Sequence, residues 1–259
     1  MGLRGEVELS GVSFAYPGAA ERPVLRDIDL HVPAGATVAV VGRAGAGKTT
    51  LLHLLPRLFD PSSGVVRIDG HDVRDLSLEQ LRRGIAFVPQ DPFLFSTSIR
   101  ANIAFAQPEL GRDGDEGQRR VREAAASAAV AADIEDFPYG YETMVGERGI
   151  TLSGGQKQRV TLARALLAEA PILVLDDSLS SVDTQTEEHI LEALEAQRRG
   201  RTCFIVAHRL STVQDADLIV VLDGGRIVER GDHRSLLARD GLYAELFRRQ
   251  RLSAELEAI

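Results

Sequence analysis

A single cysteine, Cys203, stands in 259 residues. That excludes an internal disulfide framework and suits a reducing compartment. It lies in the apolar run Cys203-Phe204-Ile205-Val206, the setting of a buried strand residue rather than of a reactive thiol. Apolar runs are short, and none approaches the ~20 residues that span a bilayer. Positive charge is in deficit, with a formal net charge of −8. That argues against a non-specific grip on nucleic acid or on anionic lipid. Neither a secretory leader nor a myristoylation start is expected, since Glu6 stands where the latter needs a hydroxyl. No internal repeat is visible.

What the chain does have is enough length for one large domain or two intimate subdomains, and one conspicuous glycine-rich stretch. Gly42-Arg43-Ala44-Gly45-Ala46-Gly47-Lys48-Thr49-Thr50 follows the apolar run Val38 to Val41. It leads into Leu51, Leu52, Leu54, Leu55 and Leu58, which are expected to form one helix face. Gly-x4-Gly-Lys-Thr is the spacing of a phosphate-binding loop. Its glycines let successive backbone N–H groups turn inward around a polyphosphate, and the helix that follows points its positive end the same way. In that geometry Lys48 reaches the β- and γ-phosphates and the Thr49 hydroxyl ligands Mg²⁺.

Taken in order, Glu6 to Phe14 alternates as a strand, Tyr16-Pro17-Gly18 turns, and Leu25, Ile28, Leu30 and Val32 mark a second strand. Tyr16 can stack on a purine or serve as a packing residue. Val65 to Ile68 is a strand ending in the hairpin-type turn Asp69-Gly70. Ile85 to Val88 is a buried strand stopped by Pro89-Gln90-Asp91-Pro92. Ser98 to Phe105 is expected as a short helix, and Val121 to Ala132 as an alanine-rich one. Leu152-Ser153-Gly154-Gly155-Gln156 opens another helix. Its N-terminus can meet phosphate, or Ser153 can simply cap it. Ile172 to Asp177 ends in two carboxylates, Asp176 and Asp177, and carboxylates at the carboxyl end of a buried parallel strand face the ligand crevice of an α/β sheet. Thr184 to Gln197 is expected as a helix and Thr202 to Val206 as a strand, with His208 just beyond it. A closing hairpin around Asp223-Gly224-Gly225 and two short helices complete the chain. The alternation predicts a mostly parallel α/β sheet. From about Pro92 to Leu167 no strand is expected.

Jointly these stretches resemble the ATP-binding cassette, the nucleotide-binding domain of ABC transporters. Gly42 to Thr49 matches Walker A, Ile172 to Asp176 matches Walker B, and Leu152 to Gln156 is the family signature. Gln90 matches the Q-loop, Ser180 to Asp183 the D-loop, His208 the switch histidine, and Tyr16 the adenine-stacking aromatic. Gln90 to Ser96, Ile99 to Ile103, Val145 to Gly149, Gly231 to His233 and Gly241 to Tyr243 look like the exporter class. The resemblance implies a P-loop NTPase (RecA-like) α/β fold, with a mostly parallel core, N-terminal antiparallel strands and an inserted α-helical subdomain. Residues 1–91 and 168–259 would form the core and residues 92–167 the helical insert. It implies ATP and Mg²⁺ as cofactors, with Thr49, Gln90 and Asp176 around the metal. It also implies catalytic parts for Lys48, Gln90, Asp177, His208 and the signature residues Ser153, Gly154, Gly155 and Gln156.

The same resemblance implies a head-to-tail pair of cassettes with two ATP molecules between them, at the cytoplasmic face of a membrane. The partners would be an exporter's transmembrane domain and a second, non-identical cassette. No membrane domain is part of this sequence, so an excised domain or a separate subunit is expected. Four positions depart from the family pattern. Ala44 and Ala46 stand where serines are common, Met144 stands where exporters often carry glutamate, and Asp177 stands at the catalytic glutamate. Aspartate is shorter by one carbon–carbon bond, ~1.5 Å, and a misplacement of ~1 Å can cost about a hundredfold in rate. The pattern therefore resembles the degenerate-site half of a heterodimeric exporter. The alternative is a regulatory module that binds ATP without turning it over and lends its signature to a partner's site.

Overall fold

A computed structural model of the chain describes residues 2–19, 21–111, 114–146, 152–178, 186, 190, 192–194, 200–206 and 213–257. Their strands form two sheets. The first is antiparallel: β1 (Val7–Phe14) lies between β2 (Leu25–Val32) and β4 (Ser63–Ile68), and β5 (His71–Asp72) pairs with β4. The Asp69-Gly70 turn has positive φ at both residues, 52° and 79°, as a tight hairpin requires.

The second sheet has the order β10-β9-β3-β8-β7-β6. Here β3 is Thr37–Gly42, β6 is Ile85–Val88, β7 is Ile172–Asp176 and β8 is Thr202–Val206. All neighbours from β9 (Leu218–Asp223) to β6 run parallel, and only the edge strand β10 (Arg226–Gly231) is antiparallel. The parallel strands are buried on both faces, so they are largely apolar rather than alternating with polar residues; only the edge strand β10 alternates. Alternation survives as a choice of core. Val38, Val40, Val174 and Phe204 join one cluster, while Ala39, Val41, Leu173 and Ile205 join the other. Cys203 is fully buried in the second cluster.

The first cluster lies between the two sheets and includes Leu51, Leu52 and Leu54 of helix α1 (Lys48–Leu54) and Leu55 at its C-terminal cap. Leu58, expected on the same helix face, is instead half exposed. The helix stops sooner because Pro56 has no amide to continue it and Arg57 is left-handed at φ 53°. The second cluster lies under the helices between β6 and β7: α3 (Ile99–Ile103), α4 (Asp115–Ser127), α5 (Ala131–Glu135) and α6 (Gly154–Leu167). The alanine-rich segment is thus two helices, not one. Ala129 at φ 52° breaks it, and the N–H groups of Ala129 and Val130 close on the carbonyls of Ala126 and Ala125. This is a Schellman stop with alanine where glycine is usual. It turns Val130 and Ile134 into the core.

Helix α2 (Leu78–Arg83) was not foreseen. Leu81 is its buried residue and Ser77 caps it, so it carries no apolar periodicity to read. Of the two C-terminal helices, His233–Ala238 is short, but Leu242–Glu257 is 16 residues long. The helix expected over 184–197 lies largely outside the described residues.

Asn102 ties the chain after β6 to the helical layer. It is fully buried. Its Oδ1 accepts from Phe95 N (2.8 Å) and Arg164 Nη2 (2.9 Å), and its Nδ2 donates to Phe95 O (3.0 Å) and Ser98 O (3.1 Å). Asn102→Ala leaves several of these groups unpaired, at about 1–3 kcal/mol each. Thermal denaturation of the variant is expected to show a midpoint lowered by roughly 5 °C or more. An unchanged midpoint would contradict this account of the node.

Candidate functional site

The carboxyl ends of β3, β6, β7 and β8 open on one side of the parallel sheet, and a cleft of about 300 Å³ sits there. The stretch Ala44 to Thr50 lines it, together with Gln90, Asp176 and Asp177. Three glycines of the loop have backbone angles that favour glycine, and two of them are also hemmed in by neighbouring atoms. Gly42 has φ 152°, and a Cβ there would come 2.2 Å from Leu222 O. Gly47 has φ 102°, and a Cβ there would meet Leu25 and Val24. Gly45 faces open space, but its φ of 76° likewise favours glycine. Gly47 caps α1 without a side-chain acceptor, so the first-turn N–H groups are offered to whatever enters the cleft.

Lys48 is buried and arches over its own loop, donating from Nζ to Gly42 O (2.9 Å) and Arg43 O (3.0 Å). Burial lowers its pKa, and the nearby Asp177 and Asp176 oppose that shift. Asp176, 1% exposed, ends β7, and its Oδ1 accepts from Thr49 Oγ1 at 3.1 Å. Burial is the largest influence on Asp176 and pushes its pKa up; the Thr49 bond pulls the other way. Asp177 is also buried. It takes φ 48°, a left-handed conformation that aspartate tolerates better than most residues, and its N–H donates to Val206 O at 2.9 Å. A hydroxyl and a carboxylate oxygen side by side are hard donors suited to Mg²⁺. Open glycine backbone, a buried ammonium and a helix N-terminus suit a polyphosphate. The residues present therefore fit both groups.

Not every predicted residue comes to this cleft. Ser153, Gly154, Gly155 and Gln156 do not line it. They open α6 as a full capping box: Ser153 Oγ accepts from Gln156 N, and Gln156 Oε1 accepts from Ser153 N. Tyr16 borders a neighbouring cleft of about 350 Å³ with Phe14, Pro17 and Phe59. His208 and the Ser180 to Asp183 stretch lie outside the described residues, as do Glu147 to Gly149.

A family model described as "ABC transporter" matches residues 25–180. The chain belongs to the ABC transporter family. It is an ATPase domain of that family, built on the P-loop NTPase fold. It is 50% identical over 249 residues to a Xenopus tropicalis protein named "Mitochondrial potassium channel ATP-binding subunit", covering 96% of this chain and 35% of that one. It is also 50% identical over 248 residues to an "ATP-dependent lipid A-core flippase" of Alkalilimnicola ehrlichii, covering 95% and 41%. Among solved structures, "a bacterial Atm1-family ABC exporter with ATP bound" aligns with a TM-score of 0.88 at 46% identity, over 96% of this chain and 42% of that one. The chain therefore spans about two fifths of the length of these relatives.

In this ABC domain some residues at the cleft were not read from sequence. Val24 and Val206 line it, and Glu245 of the last helix pairs with Arg43 of the loop at 3.2 Å. These residues are distant in sequence and match no motif, so only the fold brings them in. The buried Asp176 charge yields one test. Burial and the like charge of Asp177 both penalise the ionised form, so the folded protein binds that proton more tightly than the unfolded chain does. The ionised form thus lowers stability: the penalty grows as pH rises from the ordinary aspartate range through the raised folded pKa and is constant above it. Asp176→Asn keeps an oxygen for Thr49 and removes the charge. The unliganded variant is expected to melt no lower than wild type at neutral pH, while the gain in ATP affinity on adding Mg²⁺ falls at least about tenfold. A markedly lower melting point, or an undiminished Mg²⁺ effect, would overturn this reading of Asp176.

Proposed function

We propose that this domain binds Mg-ATP and hydrolyses it as the nucleotide-binding domain of an ABC exporter, pairing head-to-tail with a second cassette when ATP is bound. The observation that carries the proposal is the convergence of the glycine loop, Lys48, Thr49, Asp176, Asp177 and Gln90 on one cleft. In this reading the loop amides and Lys48 bind the β- and γ-phosphates, and Tyr16 takes the base. Thr49, Asp176 and Gln90 hold Mg²⁺, which when bound neutralises charge on the phosphates. Asp177 orients the attacking water, and His208 takes the part of the switch histidine that its match to the family pattern implies.

The signature supports the pairing. Gly154 is exposed, with open space where a Cβ would stand. Among the described residues nothing needs a glycine there, and glycine disfavours a helix. Room for the approach of another molecule explains it. In the pair, Ser153, Gly154 and Gly155 would aim donors at the γ-phosphate held by the partner, where transition-state charge is redistributed. The transmembrane domain would dock in a groove of about 640 Å³ between α2 and the helical layer, where Leu58, Leu78 and Phe105 are exposed and Arg82 and Arg164 supply charge. In this reading the domain lies at the cytoplasmic face of a membrane and acts in export. Nothing in this reading calls for nucleic acid.

Asp177 favours an asymmetric version, in which this chain's own site is slow and its signature completes a faster site on a non-identical partner. The extreme case is a regulatory module that holds ATP without turnover. Steady-state ATPase measurements on the self-paired domain test the chemistry. Asp177→Glu is expected to raise turnover severalfold or more, because the longer carboxylate reaches the water. Gly154→Asp is expected to abolish it, by setting a carboxylate against the triphosphate. Unchanged turnover in Asp177→Glu, with ATP-dependent dimerisation intact, would refute the geometric argument.

A further inference from the structure

Tyr16 and Thr50 share a hydroxyl-to-hydroxyl hydrogen bond of 3.0 Å across 34 positions of sequence. Thr50 belongs to the first turn of α1, immediately after Lys48 and Thr49, and is buried. A threonine hydroxyl inside a helix ordinarily turns back to a carbonyl of the preceding turn. This one reaches out to the loop after β1 instead. The Tyr16 ring is held at two further points. It stands edge-on to Phe14, at 5.0 Å and 81°, and to Phe59, at 5.3 Å and 87°. Phe14 ends β1 and Phe59 follows α1. The ring remains 36% exposed and borders the open cleft beside the loop. Ring contacts fix where it sits, and the hydroxyl fixes its tip to the helix that carries the phosphate loop.

We propose that the Tyr16–Thr50 hydrogen bond makes the base platform and the phosphate loop one unit, so that the base and the phosphates of a nucleoside triphosphate bind cooperatively. Thr50 is then a positioning residue for Tyr16. This rests on the ATP-binding reading. It adds that stacking alone is not what Tyr16 contributes: a phenylalanine, which stacks as well, does not replace it. A ligand with phosphates and no base engages only the loop and is indifferent to the tether.

Calorimetric titration of the domain with Mg-ATP and with Mg-tripolyphosphate separates these contributions. Tyr16→Phe is expected to weaken ATP about three- to tenfold, the worth of one hydrogen bond, and tripolyphosphate less than about twofold. Thr50→Val is expected to weaken ATP by at least as much. The double variant is expected to be no weaker than Thr50→Val alone, because both substitutions remove the same bond. Should Thr50→Val fail to fold, the ATP-to-tripolyphosphate ratio in Tyr16→Phe decides by itself. Unchanged ATP affinity in Tyr16→Phe, an equal loss for tripolyphosphate, or losses that multiply in the double variant would each overturn the tether. Wild-type protein that binds tripolyphosphate but gains nothing from a base would overturn it as well. Wild-type protein that binds neither ligand would sink the nucleotide reading along with it.

Discussion

The site depends on one electrostatic arrangement: a buried ammonium held between backbone carbonyls and two buried carboxylates. Lys48 sits on Gly42 and Arg43, with Asp176 and Asp177 across the cleft. Burial weakens the charged form of Lys48 and of Asp176 alike. Such a cluster is stable only if its charges are answered, either by one another or by a ligand that brings its own. A polyphosphate with a divalent cation answers both signs at once. The loop geometry serves the same end, since Gly42 and Gly47 let the backbone close around the ligand where any side chain would strike Leu222, Val24 or Leu25.

The rest of the fold positions that cluster. β3 is flanked by β8 and β9, and β8 separates it from β7, so the loop and the carboxylates meet at the carboxyl edge of the sheet. The helical layer hangs from the same edge by way of the chain after Gln90, clamped through Asn102 and Arg164 to α6. That helix begins at Ser153, away from the cleft of its own chain. In the pairing proposed above, this exposed helix N-terminus would complete the cleft of a second copy or a relative.

Much of this was legible before any coordinates. β3, β7 and β8 announce themselves as short apolar runs, because a parallel sheet covered on both faces leaves no polar alternation. The loop is legible because few sequences other than a phosphate loop place glycines at that spacing before Lys-Thr. What escaped has physical reasons. α2 buries Leu81 and so has no periodicity. The stop at Ala129 escaped because alanine, the best helix former, occupies a left-handed turn that only the burial of Val130 and Ile134 demands. Leu58 was misplaced because the helix ends before Pro56 although the apolar spacing runs on. The Arg43–Glu245 pair and the Tyr16–Thr50 bond join residues far apart in sequence, which no local pattern encodes.

The central claim is that the Lys48 cluster is a triphosphate site. Its most direct test is the Mg-ATP affinity of wild-type and Lys48→Ala protein, measured side by side by calorimetry. Lys48 supplies the positive charge of the cleft to the phosphates, and charge-assisted bonds are worth roughly 1.5–3 kcal/mol. The variant is therefore expected to bind at least about tenfold more weakly while remaining folded. Equal affinities for the two proteins would contradict the account.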